Sequence, residues 1–443
     1  MTECIQTQLH FSFYRNRTLT AKFDGGQITS DAGLLALRQF DVRQGITARW
    51  SAALRDTRLP ERTQHSLEAL LAQRIYQIVA GYEDANDADL LRYDPTFQLL
   101  VQADLGQVLG SQPTFSRLEN AFTPHDWVAL NRCLLELFGE LATSAVEEAG
   151  EIILDIDSTA DPTYGQQEFS FYNGCYQRSV YHPLLIFERN TGYLLAAHLR
   201  RGEVGSSRGV VALLRRVVKY LRCRFPHLPI REVGDAGFAI PTLYRFCEQE
   251  QLEYSFGIGT NVALRPHGER LLQKAERRWL RRRTRQCLYT SFRHRGKRWR
   301  QYSRRICVKA EYSSSGKADV RFVITNRRGT AEEVFTFYHG RGECENRIEE
   351  LKNGFAADRL SCHRFLANAF RLLLHAAAYN LVILFRRCLP ECMRHAQIET
   401  LRTKLFKVGA LVTCSVRRIW IHLASGWPYQ AVFRQAMGAL IPT

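Results

Sequence analysis

The 443-residue sequence predicts an α/β protein, in which a mainly helical region precedes a mixed sheet and a basic, partly β segment interrupts that core. Three observations predict this. Up to residue 147, apolar residues recur at helical spacing between capping signals. From Glu151 onward, short apolar strand-like runs alternate with amphipathic helical stretches. Between Arg265 and Arg305 there are sixteen Lys or Arg against two Glu, a local balance of +14 within a chain whose net charge is +17.

In the first region, Ser30 or Asp31 caps a helix running through Leu37, and Ser66 opens SLEALLAQRIYQIVA, which Gly81 closes. Thr123 followed by Pro124 starts the amphipathic stretch HDWVALNRCLLELFGEL. Before it, GSQPTFSRLENAF is a short helix that turns Ser116, Arg117 and Asn120 outward. It suits the recognition helix of a helix-turn-helix and equally a member of a plain helical bundle. The acidic loop with Glu83, Asp84, Asp87, Asp89 and Asp94 fits no calcium-loop spacing and is expected to supply turns and caps.

The core begins with EIILDID, an apolar strand ending in aspartates. Residues 181–188 and 192–200 read as two more strands, with a hairpin turn at 190–192 between them. A helix with Val210, Leu213, Leu214, Val217, Val218 and Leu221 on its apolar side follows, then the strand IREV, a turn at Gly234 and Asp235, a helix over 241–250 and the strand YSFGI. Three antiparallel strands and then helix–strand crossovers is the order of a ribonuclease H-like domain. Residues 261–330 leave that order and are expected to be an insertion: a basic helical piece, ERLLQKAERRWLRRR, and strands such as RRICVKAEY and DVRFVITN. The division is therefore 1–147 for a mainly helical region, 148–260 for the first part of the core, 261–330 for the insertion and 331–443 for the second part.

The positive balance points to a polyanionic partner, and nucleic acid is the default. The cysteines are scattered without a CxxC pair, which disfavours a zinc module and suits reduced thiols in a cytoplasmic protein. No signal peptide is expected, and no membrane partner: the most apolar run, 372–385, is short for a span and contains His375 and Asn380.

Asp155 and Asp157 alternate on one strand, so both face the same way. Asp235 follows a second strand, at the end where open α/β sheets bind ligands. Glu345 lies four residues after Arg341 and seven before Lys352, so on one α-helix all three share a face. Three carboxylates from separate elements repel one another unless cations neutralise them, and oxygen ligands suit Mg²⁺ or Mn²⁺. Two such ions would promote in-line displacement at phosphorus. Arg281, Arg282 and Arg283 in the basic segment would grip DNA backbone, and Trp279 and Trp299 would either stack on an unpaired base or anchor the segment.

These residues carry a family resemblance. Tyr338, Arg341, Glu345 and Lys352 match the Tyr-x2-Arg-x3-Glu-x6-Lys signature of one branch of the DDE transposases of bacterial insertion sequences, and LDIDST, GDAGF and FDGGQITSDAGLLAL are similar to segments of that group. The resemblance covers nearly the whole chain. It implies a ribonuclease H-like core with a β-rich insertion, and hydrolysis at element ends followed by transfer of the freed 3′-hydroxyls into target DNA. It implies metal ligation by Asp157, Asp235 and Glu345, with Asp157 preferred to Asp155 because Ser158 follows it. Tyr338, Arg341 and Lys352 would hold DNA phosphates, a homodimer would pair two ends, and the protein would be cytoplasmic and nucleoid-associated when on DNA. The alternatives are a non-catalytic DNA-binding descendant of such an enzyme and a metal-dependent nuclease that cuts without joining.

Overall fold

The structure is a computed structural model and describes residues 8–440. The chain forms two compact units, one from residues 1–51, 56–116 and 385–443, the other from 52–55 and 117–384.

In the first unit the two ends of the chain come together. Helix Leu67–Ala80 starts at Ser66, whose hydroxyl accepts from the Ala69 amide, and ends at Gly81 in the left-handed region. Arg402 then closes that helix by donating to the carbonyls of Val79 at 2.7 Å and Ile78 at 2.9 Å. Strand Ala410–Cys414 pairs antiparallel with Gln27–Thr29 and with Ile419–Leu423. The first helix begins at Leu34, not beside Ser30 or Asp31, because its N-cap is Gly33. A Cβ on Gly33 would lie 1.8 Å from the Leu405 carbonyl oxygen, so only glycine permits that approach. Asp31 is instead buried and ion-paired with Lys407 at 2.7 Å. In the acidic loop, Asp84 and Asp94 cap short helices.

The second unit is built on one eight-stranded sheet. Five strands form its frame: β1 (Ile152–Ser158), β2 (Leu184–Glu188), β3 (Leu194–His198), β4 (Ile230–Gly234) and β5 (Glu253–Ile258). Helix α1 (Val210–Arg224) joins β3 to β4, and α2 (Pro241–Gln249) joins β4 to β5. β1 pairs antiparallel with β2 and parallel with β4, and β4 pairs parallel with β5. β1 is buried over its first five residues, which is why it reads as a continuous apolar run and not an alternating one. The apolar side of α1 expected from sequence is buried at Val210, Leu213, Leu214, Val217, Val218 and Leu221.

The basic segment is not a separate module. After α3 (Arg265–Arg282) it contributes β6 (Gln286–His294), β7 (Arg304–Tyr312) and β8 (Ala318–Thr325), and β8 pairs antiparallel with β5. The sheet order is thus β6-β7-β8-β5-β4-β1-β2-β3. β8 covers the edge that β5 would otherwise expose.

Two helices, α4 (Ala331–His339) and α5 (Gly342–Glu349), follow β8, and a long helix, α6 (Phe365–Arg386), comes next. By length and composition α6 could cross a membrane, yet its apolar window is wholly buried in the protein. Its polar interruptions have structural work: Asn380 bonds both the amide and the carbonyl of Leu194 at 2.9 Å, and the Tyr379 hydroxyl donates to the Gly192 carbonyl at 3.0 Å. The outer edge of β3 is satisfied this way at Leu194.

Two buried carboxylates constrain the sheet. Asp155 on β1 is fully buried and accepts from Arg189 Nε at 3.0 Å and from Arg189 Nη2, while Arg189 Nη1 donates to the Phe337 carbonyl closing α4. Glu232 on β4 is fully buried, and its bonded partner is the Cys247 thiol of α2 at 3.0 Å. Burial pushes the Glu232 carboxyl up to about 7, against which the Cys247 hydrogen bond acts weakly.

Arg189→Met is expected to destabilise the fold by about 3–5 kcal/mol in urea unfolding, because Asp155 is left buried without its principal partner. The double variant with Asp155→Asn should recover much of that loss, and a single-variant loss under about 1 kcal/mol would show that the pair is not charged. For Glu232 the unfolded group ionises near 4.5 and the folded one near 7. Its stabilising contribution is present below about 4.5 and is lost as pH rises through about 7, a fall on the order of 3 kcal/mol. Glu232→Gln should flatten that part of the stability–pH curve, and an unchanged slope would refute the assignment.

Candidate active site

The site begins with register. Ile156 of β1 pairs with Gly234 of β4, and the two strands are parallel. The next residues, Asp157 and Asp235, therefore emerge together at the carboxyl ends of neighbouring strands, which lie about 4.8 Å apart. Each carboxylate is oriented by its own backbone: Asp157 accepts from the Ser158 amide at 2.8 Å, and Asp235 caps the turn Ala236–Phe238 by accepting from the Gly237 amide at 2.9 Å.

Tyr338, Arg341, Glu345 and Lys352 do not lie on one straight helix. Tyr338 is near the end of α4, the chain breaks at Gly340, Arg341 is the N-cap of α5, and Lys352 lies in a π-helical turn, Glu350–Gly354. A Cβ on Gly340 would lie 2.6 Å from an Arg189 guanidinium nitrogen, so the segment passes directly over the side chain that holds Asp155. The π turn adds a residue to the helical repeat and takes Lys352 off the Glu345 face.

Arg341 still unites the cluster. Its guanidinium lies 3.4 Å from Asp157 and forms a short hydrogen bond to Glu345. Glu345 is exposed, whereas Asp157 is largely enclosed. Burial pushes the Asp157 carboxyl up to about 7, and the charges of Asp235 and Glu345 push in the same direction; the Ser158 amide and Arg341 oppose them. Tyr338 places its hydroxyl over Gly257 of β5, where a Cβ would lie 2.5 Å away. Burial raises its pKa, Arg341 lowers it, and nearby Asp235 raises it again.

Asp155 shares the face of Asp157, as alternation requires, but differs in occupation. Beyond the Arg189 pair, Arg347 of α5 lies 3.8 Å away and also donates to the Arg189 carbonyl at 2.6 Å. Both oxygens of Asp155 are thus taken up by guanidinium groups. Lys352 differs from expectation too. Its ammonium donates to Thr159 Oγ1 at 3.0 Å and to the Ala160 carbonyl at 2.6 Å, and lies 3.6 Å from buried Asp161. A cation so engaged steadies the loop after β1. The sequence did not single out Arg189, Arg347 or Asp161, since nothing local distinguishes an arginine or aspartate that finds its partner across the fold.

The donor chemistry fits a divalent cation: hard oxygen ligands from three elements, with one carboxyl held up by burial and by its neighbours' charge. Among the described residues no group of three His, Cys, Asp or Glu is already arranged around a common point for a metal. Arg341 takes up Glu345, so the third carboxylate must turn away from it to join the other two. Arg281, Arg282 and Arg283 are exposed at the end of α3, distant in sequence from the acids, with Arg283 stacked on Trp279 at 4.8 Å. Trp279 also packs on Tyr312 and Trp299 on Tyr244, so both tryptophans anchor the segment. Ser116, Arg117 and Asn120 all have partners within the chain.

Comparison with known proteins adds the following. No curated protein matches the chain. Among solved structures, a piggyBac transposase synaptic complex with hairpin DNA, determined by cryo-EM, aligns at 14% identity with a TM-score of 0.44, over 85% of this chain and 80% of that one. That likeness is too distant for any residue to be carried across. The family model described as transposase DDE domain group 1 matches residues 11–443, almost the entire sequence. The chain belongs to the DDE transposase family.

Proposed function

We propose that this transposase is a metal-dependent DNA cleavage and strand-transfer enzyme with a ribonuclease H-like core, acting by cut-and-paste at the ends of an insertion sequence. The observation that supports it best is the parallel register bringing Asp157 and Asp235 to adjacent strand ends, with Glu345 tied to Asp157 through Arg341. Asp157, Asp235 and Glu345 would hold two Mg²⁺ or Mn²⁺ ions. When bound, such ions lower the pKa of a water or 3′-hydroxyl and stabilise the leaving oxygen.

The chain's own residues have distinct tasks in this reading. Asp157, whose carboxyl is raised to about 7 by burial and by the charges of Asp235 and Glu345, would be held ionised by a cation bound here. Arg341, whose planar fork now spans Asp157 and Glu345, would offer it to a phosphodiester. Tyr338, held over Gly257, supplies a neutral hydroxyl beside Asp235. Asp155 and Lys352 keep β1 and its following loop in place. Arg281, Arg282 and Arg283 bind backbone phosphates along the exposed side of α3. The mainly helical region of residues 1–147 binds element ends, and two copies pair two ends. Cutting and joining use the same carboxylates and differ only in whether water or a 3′-hydroxyl attacks.

With labelled duplex carrying the inverted repeats that flank the gene, Glu345→Gln is expected to lower Mg²⁺-dependent cleavage and joining by at least about 100-fold. Equal rates for the variant and the parent would sink the catalytic assignment. Affinity for the same duplex should fall steeply with salt. Replacing Arg281, Arg282 and Arg283 together by Ala should reduce the slope of log affinity against log salt by about 2–3, or roughly 0.9 for each phosphate no longer neutralised. An unchanged slope removes α3 from the interface.

A further inference from the structure

Between β1 and β2 the chain forms a small antiparallel hairpin, Phe171–Asn173 with Arg178–Tyr181, whose tip carries Tyr176. The tip is built to be rigid. Asn173 accepts from the Cys175 amide through its side chain at 3.1 Å and from the Tyr176 amide through its carbonyl at 3.2 Å, and donates to the Gly202 carbonyl at 2.8 Å. Gln177 closes the turn in the left-handed region at φ 53°. A Cβ on Gly202 would lie 2.1 Å from the Val180 carbonyl oxygen, so the segment after β3 runs immediately against the hairpin.

Beneath Tyr176 is His182, 3% exposed, with its ring edge-on at 5.6 Å and its Nδ1 bonded to the Val204 carbonyl at 2.7 Å. Arg200, 6% exposed, ties the platform together through the carbonyls of His182, Ser206 and Arg208. Tyr176 itself is 39% exposed, and among the described residues nothing bonds its hydroxyl. The hairpin adjoins the segments that carry both acids: Arg178–Tyr181 pairs with Asp161–Pro162, just beyond Asp157, and Ser206, whose carbonyl Arg200 holds, lies 2.9 Å from where a Cβ on Gly237 would be, two residues after Asp235. Burial, and then the charges of Asp157 and Asp235, raise the pKa of the phenol, which remains a neutral donor.

The ring is thus fixed while its hydroxyl is left without a partner among the described residues, on a hairpin that adjoins the segments of Asp157 and Asp235. We propose that Tyr176 is a substrate-contacting residue, its hydroxyl donating to a phosphate oxygen of the DNA strand held at Asp157 and Asp235. This rests on the metal-dependent reading above. It gives the site a donor from the hairpin, separate from Arg341 and Tyr338 on the helical side.

The test compares wild type, Tyr176→Phe and Asp157→Asn on labelled duplex carrying the flanking inverted repeat. Tyr176→Phe keeps the ring on His182 and should leave the melting temperature unchanged. With Mg²⁺ it is expected to lower kcat at least about tenfold while KM stays within twofold, as for a donor felt most in the transition state. An undiminished kcat overturns the proposal. A second readout is independent of turnover: in Ca²⁺, duplex bearing 5-iodouracil beside the scissile phosphate is irradiated and the cross-linked peptide sequenced. Cross-linking within 171–181 supports the proposal, and cross-linking only elsewhere overturns it. If Asp157→Asn cleaves as well as wild type, the metal-site reading fails by itself, and the cross-link still decides whether Tyr176 touches DNA.

Discussion

Everything at the site depends on how the charge of one central strand is neutralised. β1 carries two carboxylates on one face, and helix α5 lies across them with its cations. Arg347 approaches Asp155, Arg341 approaches Asp157, and Lys352 reaches the carbonyl and hydroxyl groups just beyond. Arg189, from the turn between β2 and β3, completes the Asp155 pair and also closes α4. A buried carboxylate without a partner would cost several kcal/mol, so these contacts set where α5 can dock and in what register. Glu345 is positioned as a consequence, because it sits one turn after Arg341.

The same arrangement separates structural from chemical charge. Asp155 is saturated by two guanidinium groups. Asp157, two residues along, is largely enclosed, with a single cation at 3.4 Å and two acids near it, and burial with those charges raises its carboxyl to about 7. Incompletely compensated charge at the open end of a sheet is the physical mark of a site prepared for a ligand. The glycines nearby serve this geometry: Gly340 lets the chain pass over Arg189, and Gly257 makes room for the Tyr338 hydroxyl.

Much of this could be read from sequence, and the residues show why. The run EIILDID, the helix bearing Val210 to Leu221 and the turn at Gly234 and Asp235 carry their signals locally, so the core order was legible. So was the shared face of Arg341 and Glu345, four residues apart. The break at Gly340 and the π turn before Gly354 were not, since both are imposed by packing against Arg189 and the loop 159–161. The union of strand 410–414 with 27–29 was invisible for a similar reason: it joins segments almost the whole chain apart. The strands of the basic segment could be recognised one by one, but not their continuation of the core sheet, which depends on β5 having an edge to cover.

Asp155 and Asp157 mark the boundary between the two kinds of information. The two-residue period of a strand determines from sequence alone that both face the same side. Only the tertiary structure decides that one is a buried ion pair and the other faces Asp235 and Glu345. That choice is made by Arg189, 34 residues away in the chain, and by Arg347 on a later helix. Local periodicity specifies direction; neutralising a buried charge requires a partner that only the completed fold brings within reach.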